Sequence, residues 1–143
     1  MTRVNELHYQ FTRLLPEVLA AGTLYISTEY ATASHLCCCG CGFEVVTPLS
    51  PTDWKLTFDG ESVSLHPSIG NWGFACQSHY WIRHNRIQWS GRMTPEQIAA
   101  GREVDRRVKR EQFGEAETTE DQREPQHGVL QRLWQRVRWS RTG

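Results

Sequence analysis

The stretch HLCCCGCGFE, residues 35–44, places four of the chain's five cysteines within five positions, and the chemistry of those thiols decides how the rest of the chain is read. A disulfide needs Cα atoms about 4.4–6.8 Å apart with converging Cβ vectors, which neighbours in one short run rarely achieve. The N-terminal residues MTRVNELHYQFTRLLPEVLAAG are interrupted by Arg13, Pro16 and Glu17. They hold neither a signal-peptide core nor a run of about 18 apolar residues, so no membrane span and a reducing, cytoplasmic setting are expected. There, clustered cysteines bind metal or do chemistry more often than they form bridges.

In an extended run Cys37, Cys39 and Cys41 share one side and Cys38 faces away. Gly40 and Gly42 let the backbone curl so that amides approach the thiolates. The fifth cysteine lies in ACQSHYW, where Cys76 and His79 form a C-x2-H pair. Zinc takes four nitrogen or sulfur ligands in a tetrahedron. Cys37, Cys39, Cys41, Cys76 and His79 therefore offer five candidate ligands to a Zn2+ ion with four places, and a knuckle from Cys38 to Cys41 stays open as an alternative. A structural ion is expected over a catalytic one, because no position is visibly left for water.

The chain has 143 residues and a formal net charge of zero, but the charge is unevenly spread. Residues 1–91 hold five Lys and Arg against seven Asp and Glu, all the cysteines and four of the six tryptophans. This part is expected to fold as a mainly β, zinc-stapled antiparallel domain, since about 90 residues make a marginal core that a metal can reinforce. WKLTFDGESVSL reads as a hairpin in which an Asp59-Gly60 turn sets Leu56 opposite Val63 and Trp54 opposite Leu65. HYWIRHNRIQW reads as a second, with His84-Asn85 at its turn and Ile82 and Ile87 flanking it. GTLYISTEYATASHL supplies one or two further strands, and PSIGNWG an ordered loop that carries Trp72.

Beyond Gly91, Thr94 as N-cap, Pro95 at the first helical position and Gln97 closing a capping box predict a helix from about residue 95 to 112 within a segment 92–113. Residues 114–128 carry five acids, one Arg and no large apolar side chain, the composition of a flexible linker. Residues 129–143 form a basic amphipathic tail with Val129, Leu130, Leu133, Trp134 and Val137 at helical spacing. The tail either docks on its own domain, enters a partner groove, or touches nucleic acid or membrane through Arg and Trp, in that order of preference.

GTLYIS, ATASHLCCCGCG, TPLSPTDWKLTFDGESVSLHPSIGNW and CQSHYWIRHNRIQW together resemble an uncharacterised family of small bacterial and phage-borne Cys/His metal-binding proteins, over about residues 14–91. The resemblance implies Cys37, Cys39 and Cys41 with Cys76 and His79 as the metal set, and makes the cysteine at position 38 a departure. It also implies a role beside bacterial ubiquitin-like conjugation genes, as an accessory or ligase-like factor.

Three function readings follow. The favoured one is a zinc-binding protein-interaction module for ubiquitin-like conjugation components, with Trp72, Trp134 and Trp139 as partner-binding anchors. The alternative is a zinc-dependent hydrolase, for example a peptidase acting on modifier conjugates, with Glu44 or His66 as general base. The signatures H-E-x-x-H and H-x-E with P-C-x-x-C are both absent, which weighs against it. A nucleic-acid-binding zinc protein ranks last.

Overall fold

A computed structural model describes residues 2–120, with side chains described to residue 114. Contacts divide the chain into two units, Met1–Glu103 and Val104–Gly143. The first unit is mainly β and contains two four-stranded sheets. The first sheet orders β1 (His8–Phe11), β2 (Thr23–Ser27), β3 (Thr32–Leu36) and β4 (Glu44–Pro48). The second orders β5 (Lys55–Phe58), β6 (Val63–Gly70), β7 (His79–Arg83) and β8 (Arg86–Trp89). Every pairing is antiparallel except β1 on β2, which is parallel with His8 opposite Thr23. β1 was not foreseen, because four residues with mostly exposed side chains carry no clear alternation.

Both sheets feed one core. Leu24, Ile26 and Ala33 from the first join Val63, Leu65, Ile69, Tyr80 and Ile82 from the second. On β7 and β4 burial alternates, as expected for sheets with one covered face. The second predicted hairpin is present as read: Ile82 pairs with Ile87, and His84 and Asn85 turn the chain at φ of 49° and 65°. The first hairpin forms in a different register. Leu56 pairs with Leu65 and Phe58 with Val63, across a turn that spans Asp59 to Ser62. The Asp59 carboxylate accepts hydrogen bonds from the amides of Glu61 and Ser62 and from the Ser62 hydroxyl. Those bonds hold its pKa well below the usual range and favour the longer turn over a two-residue one. Trp54 lies outside the strand, with a single bridge to Leu49.

PSIGNWG also differs from expectation. Its first four residues continue β6, whose pairing with β7 shifts register between Leu65 and Ile69. Helix α1 (Pro95–Glu120) begins at the predicted capping box: the Gln97 amide donates to Thr94 Oγ1 and the Thr94 amide to Gln97 Oε1. It runs past residue 113 into the stretch read as linker, and residues 121–143, with Trp134 and Trp139, lie outside the described residues. Among the described residues no helix is long and apolar enough to cross a membrane.

A buried polar contact joins the sheets inside the core. His35 on β3 and Tyr80 on β7 are both fully buried, with Nε2 2.8 Å from the phenolic oxygen, which also accepts from the Cys38 amide. Burial brings the His35 pKa down to about 4, so the folded protein holds it neutral. The sign follows: its contribution to stability is complete above about pH 6.5, the unfolded value, and is lost as pH falls toward about 4. An NMR titration of the His35 ring should show a midpoint near 4, and a midpoint near 6.5 would contradict this. Tyr80→Phe, which strips His35 of its partner, should cost about 1–3 kcal/mol in urea unfolding.

Candidate functional site: a thiol cluster and a serine–histidine pair

The cysteine run is a turn. After β3 the Cys37 amide bonds the Phe43 carbonyl and the Gly40 amide bonds the Cys37 carbonyl, with Gly40 at φ 90° and Gly42 at φ 83°. A side chain at Gly40 would collide with the backbone of Thr2, so glycine is required there for space as well as for conformation. The turn, in place of strand alternation, is what gathers Cys37, Cys39 and Cys41. The Cys41 amide points at Cys39 Sγ, 3.3 Å away, as the glycine spacing suggested.

Cys76 arrives from the other sheet, in the loop that joins β6 to β7. That loop is pinned by the Asn71 amide, which donates to the Ser78 carbonyl, and by the Asn71 side chain, which donates to Ser78 Oγ. The sulfur atoms of Cys37, Cys39, Cys41 and Cys76 all lie within 4.8 Å of one another. Cys37 Sγ is 3.5 Å from that of Cys39 and 3.9 Å from that of Cys76, which is also 3.9 Å from Cys41. Tetrahedral zinc with Zn–S near 2.3 Å would separate its sulfurs by about 3.8 Å. The four thiols therefore fit a metal ion.

Ionisation differs across the run. Burial raises the thiols of Cys37 and Cys39, and pushes Cys38 up to about 12. Cys38 is fully buried in the core, outside the cluster. Burial also opposes ionisation of Cys76, but hydrogen bonds from Ser78 and from the thiols of Cys39 and Cys41 outweigh it and bring the group down to about 7.

The structure does not bring His79 into the thiol group. Three residues after Cys76 it opens β7, on the strand's outward side, and its two ring nitrogens each meet a polar partner. Nδ1 is 3.1 Å from the Gly91 carbonyl oxygen and Nε2 is 2.9 Å from Ser68 Oγ. A carbonyl can only accept, so in the neutral ring Nδ1 carries the proton and Nε2 presents its lone pair to the Ser68 hydroxyl. Both side chains are half-buried. Trp72 packs its ring edge-on against His79, 5.0 Å between centroids, and so walls the pair.

Glu44 and His66 belong to neither group. Glu44 opens β4, exposed, and accepts a hydrogen bond from Ser34. His66 lies on β6 with its ring against Trp81. Ser68 was missed from sequence because HPSIGNW has no strand–turn–helix elbow to mark a nucleophile. The available signal was the pairing of β6 with β7, which sets Gly70 opposite His79.

With this geometry in place, the model of the family described as "Bacterial ubiquitination-like system serine protease (BubE)" matches residues 11–90, more than half of the chain, and links it to such a system. No curated protein and no solved structure matches.

Removing the candidate metal ligands tests the cluster. Cys39→Ser, Cys41→Ser and Cys76→Ser should each lose bound metal and folded protein, whereas Cys38→Ala should keep its metal at a cost of about 1–2 kcal/mol. Elemental analysis of purified variants alongside thermal unfolding separates the two outcomes.

Proposed function

This chain belongs to the bacterial ubiquitination-like system serine protease family, and we propose that Ser68 is the nucleophile and His79 the general base of a peptidase that acts on a ubiquitin-like modifier or its conjugates. The observation that carries the reading is the 2.9 Å contact of Ser68 Oγ with an imidazole whose other nitrogen is engaged by a carbonyl. A serine hydroxyl is a weak nucleophile until a positioned base takes its proton, and a base needs a third group to fix its tautomer. Gly91 supplies that third group through its backbone.

The reaction follows from these atoms. Ser68 Oγ attacks the scissile carbonyl carbon as its proton passes to His79 Nε2, and the Gly91 carbonyl holds the resulting imidazolium through Nδ1–H. His79 then returns the proton to the leaving group, which departs as Ser68 becomes an ester. Water, losing its proton to the same Nε2, hydrolyses the ester and restores the hydroxyl.

We read the ion of the thiol set as zinc in a structural role, held by Cys37, Cys39, Cys41 and Cys76, since four thiolates complete its tetrahedron. Bound there, it supplies a crosslink and no reacting group. Its support to catalysis is positional, because Cys76 sits in the loop between the strands that carry Ser68 and His79. A zinc-activated water with Glu44 as base has no such geometric support.

The test uses the cognate modifier fused at its C-terminus to a reporter. Wild type should release the reporter, Ser68→Ala should be slower by about 10⁴-fold or more, and His79→Gln by about 10²–10⁴-fold, with all three equally folded. Capture of the modifier without cleavage would favour the interaction-module reading, and cleavage undiminished in Ser68→Ala would remove Ser68 as nucleophile.

A further inference from the structure

The outward face of the second sheet carries two cross-strand pairs in succession. On β7 His79 and Trp81 are two residues apart and share a face. Each meets a residue of β6: His79 meets Ser68, and Trp81 meets His66 with ring centroids 5.5 Å apart. His66 and Ser68 therefore open on the same side of the sheet. Directly across the β5–β6 ladder, Lys55 pairs with His66.

A groove of about 520 Å³ lies at this edge, a size that suits one or two side chains of a peptide. Leu49, Pro51, Trp54 and Pro67 form its apolar walls, and Lys55 and His66 are among its polar lining. Asp53 also lines it, but its carboxylate accepts the Ser50 hydroxyl at 2.7 Å, within the local turn. Pro67, one of the wall residues, immediately precedes Ser68 in β6.

We propose that this groove is the specificity subsite of the hydrolase, receiving the substrate polypeptide beside the scissile bond with an apolar side chain between Leu49, Trp54 and Pro67 and an acidic neighbour at Lys55 and His66. The inference rests on the reading of Ser68 and His79 as the reacting pair. Its physical content is a division of labour within one groove, in which the walls select an apolar side chain by burial and the Lys55 ammonium selects its neighbour by charge. Lys55 is exposed and acts as a specificity residue, since it contacts the substrate segment and takes no part in proton transfer.

A library of internally quenched peptides, with cleavage products sequenced by mass spectrometry, tests this. Wild type should favour peptides with an apolar residue within two positions of the cut and an Asp or Glu next to it. Lys55→Glu should lose that acidic preference by about tenfold, mainly in KM, while Lys55→Arg retains it. Ser68→Ala, run in parallel, should cleave nothing. An acidic preference unchanged in Lys55→Glu, with cleavage still dependent on Ser68, overturns the groove assignment and leaves the hydrolase standing. Cleavage independent of Ser68, or none by wild type, overturns both.

Discussion

Four sulfur atoms from two loops on different sheets come within bonding reach of one ion, and much of the molecule is arranged by that meeting. One loop follows β3 and the other precedes β7. Between them stand the buried His35–Tyr80 contact and a core drawn from both sheets. Structural zinc sites contribute on the order of 10 kcal/mol, comparable with the 5–15 kcal/mol net stability of an ordinary domain. A core built on about 90 residues gains more from such a crosslink than a larger one would.

The same constraint reaches the pair proposed to react. Ser68 and His79 lie on neighbouring strands whose connection, Asn71 to Ser78, contains Cys76 and is pinned by Asn71. A hydroxyl and an imidazole nitrogen at 2.9 Å tolerate little drift before proton transfer suffers, so the rigidity of that connection matters to chemistry occurring outside it. Trp72, in this connection, closes one side of His79. On the proposed reading the thiols hold the hairpin through a shared ion and the Ser68 hydroxyl is the group that reacts.

Much of the β architecture was legible in the sequence where local chemistry was decisive. His84-Asn85 marks its turn because both residues tolerate positive φ, and Thr94 with Gln97 marks the helix start through reciprocal bonds. Where long-range contacts decide, the sequence misled. The spacing of Cys76 and His79 suggests chelation, yet the chain turns at Gln77, φ 45°, and the imidazole lies outside the group of four sulfurs. Asp59 looked like half of a two-residue turn, but its side chain caps a longer one. Ser68 carried no local signal, since its partner lies eleven residues on and the contact arises only from strand pairing.

The most direct test of this account is to map a fluorophosphonate adduct on the intact protein by peptide mass spectrometry, with the metal in place and after its removal by a chelator. The account predicts an adduct on Ser68 in the metal-loaded protein and its loss on chelation, as the connection through Cys76 loosens. An adduct confined to another serine, or labelling of Ser68 that persists unchanged once the metal is gone, would contradict it.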